Sequence, residues 1–359
     1  MKKMLLATTA ALLVAGTAGA QDKVVNVTDW GGAYGQSHAI AYNAPFEAKT
    51  GIKVVVSDAD NPATPIKAMV EAGNVTADVA SVEYADAVRL CDEGALETID
   101  ASILAPGADG TPAAEDFIEG ALTDCFVATD VYSMVIAYDN TKFDGAKPAS
   151  PADFFDTAKF PGKRTMRKGA KFNLELALMA DGVPAAEVYD TLSTPEGVDR
   201  AFKKLDTIKK DVIWWEAGAQ PPQLLADGEV TMAYAFNGRI FDASVVQGKP
   251  FDILWDGQIY EMEGWVMPKG GPNRDNALEY IKFSTEAAQL AKAAEQISYG
   301  PPRKSSASLV GNVAGKDVPM GPNLPTAPEN IEKGIASNLD FWVDHDGELS
   351  ERFNAWLAS

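Results

Sequence analysis

Over residues 23–94, strand-like and helix-like patterns alternate three times, and this alternation most narrows the folds open to the chain. "KVVNVTDW" is a β-branched run leading into Gly31-Gly32, and "SHAIAYNAPFEAKTG" has helical periodicity closed by Gly51. "IKVVVSDA" reads as a second strand, "IKAMVEAG" as a helix closed by Gly73, "ADVASVE" as a third strand, and "ADAVRLCDEG" as a helix closed by Gly94. A βαβαβα series of this kind buries its strands under helices, so the fold class is α/β.

Beyond it, "CFVATDVYSMVIAYD" is a long β-prone run that reads as leaving one unit and entering another. Residues 151–255 hold strands and helices of their own, including "VIWWEA" and "VTMAYAF". After "FDILWDG", the segment "YEMEGWVMP" reads as a strand feeding one helix, "NRDNALEYIKFSTEAAQLAKAAEQ". The chain therefore crosses between units more than once. Residues 305–330, rich in Pro, Gly and Ser, read as a surface wrap.

The first twenty residues carry Lys2 and Lys3, an apolar run and Ala18-Gly19-Ala20, the pattern of an export signal cleaved after Ala20. Export gives meaning to the two cysteines, Cys91 and Cys125, because an oxidising compartment lets such a pair close into a disulfide. A metal pair is the alternative, but the cysteines lack C-x-x-C spacing and the chain has two histidines in all. No metal or cofactor is expected. The formal charge of −20, or −22 without Lys2 and Lys3, disfavours nucleic acid or an anionic membrane as partner.

Catalytic signatures are poor. "GQSHA" around Ser37 imitates a nucleophile elbow but ends in Ala, and no Walker A loop, H-E-x-x-H or G-x-G-x-x-G is present. A secreted serine hydrolase using Ser37 is kept as a remote alternative to a non-enzyme.

The stretches "DWGGAYG", "DVASVEYADAVRLCDEGALETID", "FPGKR", "WWEAGAQPPQLLADGEV", "FNGR" and "ISYGPP" together resemble periplasmic solute-binding proteins of ABC importers. The similarity is to the polyamine-binding type and its relatives that bind 4-aminobutyrate, and it covers nearly all of the mature chain. It implies a two-lobe (type II) protein, each lobe a sheet flanked by helices, with several hinge crossovers and a cleft that closes on a small molecule. It implies a periplasmic monomer that hands its ligand to permease subunits, and paired cysteines recur in such relatives. The expected lobes are residues 21–134 with about 258–300, and about 135–257 with 301–359.

Charge then selects the ligand. A polyamine needs several carboxylates and aromatic faces. Where the resemblance places two such carboxylates, this chain has "RKGAKF", with Arg167, Lys168 and Lys171. "FNGR" adds Arg239 at a position where polyamine binders carry a small or neutral residue, while Glu263 matches a position that holds an amine. One guanidinium and one carboxylate suit a zwitterion such as 4-aminobutyrate, with a polyamine as the alternative. The guanidinium fork suits a carboxylate, and Gly238 beside it opens a helix; a surface pair with Asp242 is the bland reading of Arg239. The expected ligand contacts are Trp30, Gly31, Gly32, Tyr34, Glu83, Trp215, Phe236, Arg239 and Glu263. Gly31 and Gly32 would let their loop approach closely, and Glu83, at a strand end, is a second candidate for an ammonium.

Overall fold

A computed structural model describes residues 23–359; the expected export signal and its cleavage after Ala20 lie outside them. Nine strands form one hydrogen-bonded sheet: β1 (Val24–Asp29), β2 (Lys53–Asp58), β3 (Val79–Glu83), β4 (Val127–Asp139), β5 (Arg164–Arg167), β6 (Val212–Trp215), β7 (Met232–Phe236), β8 (Phe251–Val266) and β9 (Gly334–Ala336). Their order is β2-β1-β3-β8-β4-β7-β5-β6, with β9 added to β8. The parallel trio β2-β1-β3 lies on one side and the parallel trio β7-β5-β6 on the other. Antiparallel β4 and β8 run between them and belong to both halves.

The parallel strands are sandwiched by helices, which is why "VASVE" and "MAYAF" are buried at every position instead of alternating. One buried cluster underlies the first trio and includes Val27, Phe46, Val79, Leu90, Trp265 and Tyr280. Another underlies the second and includes Phe154, Leu178, Phe202, Tyr234 and Phe353. The β4–β8 ladder shifts register between Ala128 and Asp130 and again between Met134 and Ile136. Such bulges bend a strand pair locally, and here they bracket the segment of β4 that faces the cavity described below.

Several expectations are corrected. "FDILWDG" and "YEMEGWV" belong to one sixteen-residue strand, β8, that bridges the halves. The helix expected from 273 to 296 is two, Arg274–Ser284 and Ala287–Gln296. The Ser284 and Thr285 hydroxyls donate back to the Tyr280 and Ile281 carbonyls, and the chain turns extended at Glu286. The 305–330 segment is more than a surface wrap. Just before it, Arg303 is buried and its Nε donates to Asp116 Oδ2 at 2.7 Å, and Ser305 bonds the same carboxylate, while Val313, Met320 and Leu324 pack on Phe241, so the stretch touches both halves.

Cys91 and Cys125 form the disulfide, with Cα atoms 6.0 Å apart, tying the helix Tyr84–Asp92 to the entrance of β4. Among the described residues, no helix is long and apolar enough to cross a membrane.

Candidate functional site

The first strand ends at Asp29, and Gly31 and Gly32 turn the chain abruptly into the helix Gly32–His38 with φ of +63° and +58°. Both positions are crowded as well as left-handed. A Cβ on Gly31 would lie 2.6 Å from the Asp58 carboxylate, and one on Gly32 would lie 2.6 Å from Arg239 Nη1. The loop thus allows Arg239, which reaches across from the short helix Asn237–Phe241 after β7, to pack against backbone. Its Nη1 donates to the Gly31 carbonyl at 3.2 Å and its Nη2 to the Trp30 carbonyl at 3.5 Å. On the other flank, Gly218 leaves room for the guanidinium, since a Cβ there would meet Nε at 2.6 Å. Nε is buried and has no hydrogen-bond partner among the described residues. The expected surface alternative does not form, because Asp242 accepts from Gln247 and Arg239 is 5% exposed.

Arg239 lines a cavity of ≈ 250 Å³, mouth included, together with Trp30, Tyr34, Asp130, Tyr132, Phe236, Glu263 and Tyr299. The part of it open to water-sized centres is ≈ 20 Å³, about the room of one water, so a ligand of several heavy atoms enters only when these walls part. Trp30 and Tyr34 come from the first half, Phe236 and Arg239 from the second, and Asp130, Tyr132 and Glu263 from the shared strands. Trp30, Phe236 and the nearby Glu83 stand at or just past the carboxyl ends of parallel strands, where open α/β sheets present ligand contacts.

The cavity also holds two buried carboxylates. Glu263 Oε1 accepts from Trp30 Nε1 at 2.7 Å and from Ser81 at 3.0 Å. Asp130 Oδ2 accepts from Tyr34 at 2.8 Å and from Thr129 at 3.2 Å, while Oδ1 is buried without a partner. Burial pushes the Asp130 carboxyl up to about 7 against the pull of these bonds. Burial, then Asp130 and Glu83 beside it, holds Glu263 well above the usual carboxylate range. Neither acid has an ion pair among the described residues. A cation brought here would find two acceptors already desolvated and oriented, and an anion in the same cavity would find Arg239.

Five of the expected contacts, Trp30, Tyr34, Phe236, Arg239 and Glu263, therefore meet at one cavity, and Gly31 and Gly32 shape its wall. Two do not. Glu83 turns away to accept from Arg167 Nη1 at 2.6 Å and Lys171 Nζ at 3.1 Å, so its charge is matched within the chain and it does not line the cavity. Trp215 is core: its Nε1 donates to the Tyr234 carbonyl and its ring packs edge-on behind Phe236, 5.4 Å between centroids. Asp130, Tyr132 and Tyr299 join the cavity without having been expected. An acid inside the otherwise uncharged core of the "FVATDVYSMVIAY" run was the available signal for Asp130.

Ser37 is buried and donates to the Tyr34 carbonyl at 2.6 Å, while neighbouring His38 holds Asp29 through Nδ1 at 2.8 Å. The serine and histidine thus serve separate partners.

The model of the bacterial extracellular solute-binding proteins matches residues 41–326. The chain belongs to that family. This solute-binding protein is 45% identical over 347 residues to the gamma-aminobutyric acid-binding protein of Pseudomonas aeruginosa, covering 97% of the chain and 94% of the relative. Among solved structures it is similar to a GABA receptor, at 35% identity and TM-score 0.77 over 93% of this chain and 98% of that one. It is also similar to the PBP MotA from A. tumefaciens B6 in complex with glucopine, at 30% identity and TM-score 0.84 over 93% and 99%. Two-lobe architecture is common to these neighbours, and the solute-binding protein has it, with β4 and β8 passing between the lobes.

Proposed function

We propose that this solute-binding protein captures a small ω-amino acid, 4-aminobutyrate first, and delivers it to the permease of an ABC importer. The observation that carries the reading is that Arg239 and the Asp130 and Glu263 carboxylates line one small aromatic cavity. In this reading the ligand carboxylate lies on the Arg239 fork, including the unpartnered Nε, through charge-assisted hydrogen bonds. The ammonium lies between Glu263 and the free Oδ1 of Asp130. The rings of Trp30, Tyr34, Tyr132, Phe236 and Tyr299 cover the methylene chain and exclude water, which strengthens both charge contacts.

The lobes close by bending at the two register shifts of the β4–β8 ladder, so that one ligand contacts both lobes and the shared strands. The protein works in the periplasm as a monomer, exported with a signal cleaved after Ala20, and catalyses no reaction. The binding of 4-aminobutyrate by the two GABA-named relatives supports this choice of ligand.

Isothermal titration decides it. 4-Aminobutyrate should bind, while putrescine and spermidine should give no saturable heat. Saturable binding of spermidine with none of 4-aminobutyrate would overturn the reading.

A further inference from the structure

Beside the ligand cavity stands a second pair of buried carboxylates that already has a cation. Glu83 sits directly opposite Glu263 in the β3–β8 ladder, and Glu261 is two residues before Glu263 on β8, on the same face. Both acids are nearly fully buried, 5% and 7% exposed. Lys171 reaches between them, its Nζ 2.6 Å from Glu261 Oε2 and 3.1 Å from Glu83 Oε2, and Arg167 bonds the other Glu83 oxygen at 2.6 Å. Burial alone would push Glu83 up, yet Arg167 and Lys171 outweigh it and hold the carboxyl at about 2. Burial disfavours the Lys171 ammonium, but Glu261 and Glu83 reverse this and keep it firmly charged.

The loop that carries Lys171 is built to hold it. Phe172, next in sequence, is buried in the left-handed region with φ of +71°, the only described non-glycine residue there. Asn173 clamps the loop by donating to the Arg167 and Gly169 carbonyls at 2.6 and 2.7 Å. The guanidinium of Arg167 is in turn 5.5 Å from the Phe236 ring and 5.9 Å from the Trp30 ring, both of which line the cavity.

We infer that Lys171 is a specificity-determining residue, an ammonium supplied by the chain that fills a second cation subsite at Glu83 and Glu261 and so prevents the cleft from accepting diamines. The inference rests on the proposed ammonium site at Asp130 and Glu263. Glu261 lies two residues, about 7 Å, along β8 from Glu263, a spacing that the ends of a short α,ω-diamine can span. With Lys171 in place, a diamine's second ammonium meets like charge; without it, Glu261 is left with no cation and Glu83 with Arg167 alone.

The test titrates wild type, Lys171→Ala, Lys171→Gln and Lys171→Arg with putrescine, cadaverine and 4-aminobutyrate. Lys171→Gln keeps a hydrogen-bond donor near Glu261, so loss of fold in the alanine variant does not remove the test. Expected is at least a tenfold tighter binding of putrescine or cadaverine by a folded variant than by wild type, with Lys171→Arg showing no gain. Folded variants that bind 4-aminobutyrate but gain nothing for diamines would overturn the inference, as would a wild type that binds diamines as well as it binds 4-aminobutyrate. Wild type failing to bind 4-aminobutyrate would instead overturn the proposed function, while a diamine gain in the variants would still support the role of Lys171.

Discussion

Asp130 and Glu263 face each other in the β4–β8 ladder, both carboxylates buried, and no cation of the described chain pairs with either. Burial disfavours the charged form of both, with Asp130 adding to it at Glu263, and the Asp130 carboxyl is pushed up to about 7. The empty protein therefore holds protons that an arriving ammonium must displace. Affinity for 4-aminobutyrate is expected to rise as pH increases from 6 to 8. Calorimetry in buffers of differing ionisation enthalpy should report net proton release, and a flat profile or proton uptake would contradict the site.

The same raised value fixes the sign for stability. A carboxyl raised in the fold above its ordinary 3.8 favours the folded state at low pH, and that contribution is lost as pH climbs through about 7. Asp130→Asn should therefore flatten the part of the apo melting curve's pH dependence that lies between about 4 and 7. An unchanged slope would mean that Asp130 is ionised throughout.

Arg239→Ala is expected to weaken 4-aminobutyrate binding by at least ~2 kcal/mol, roughly thirtyfold, because the ligand carboxylate would be desolvated without its partner. Arg239→Lys should recover only part of this, since a point charge cannot replace the fork. Calorimetry on both variants checks the order.

Gly32→Ala combines a φ of +58° with a Cβ only 2.6 Å from Arg239 Nη1. The backbone strain costs about 1–2 kcal/mol, and displacement of the arginine should lower affinity further. A variant that melts lower but binds as wild type would show that Arg239 does not need this wall.

Reduction of the Cys91–Cys125 bridge should cost about 2–4 kcal/mol. Denaturant melts with and without reductant give the difference. Because the disulfide lies away from the cavity lining, affinity measured below the transition should change little.

Much of the architecture was legible because its signals are local. Gly51, Gly73 and Gly94 end helices in the left-handed conformation, as their sequence positions imply. Arg239 and Glu263 stood out as charges beside apolar strands. What escaped depended on distant partners. Nothing near Glu83 announces that Arg167 and Lys171, more than eighty positions later, will match its charge. Asp130 and Tyr132 lie inside a run whose strong β character reads as core, and periodicity cannot tell a core face from a cavity face in a strand buried on both sides. Trp214 and Trp215 differ by one residue and hence by face: Trp214 packs on Phe353 and Trp356 of the last helix, Trp215 inward on Phe236.

The acceptors that aim Arg239 are the carbonyls of Trp30 and Gly31, groups that every residue carries. Side-chain replacement along that loop cannot delete them, so mutational drift leaves the aim of the guanidinium untouched as long as the turn itself keeps its glycines. The side chains around the cavity are then free to vary, and a lineage can change the acids and rings while inheriting the seat of the guanidinium unaltered.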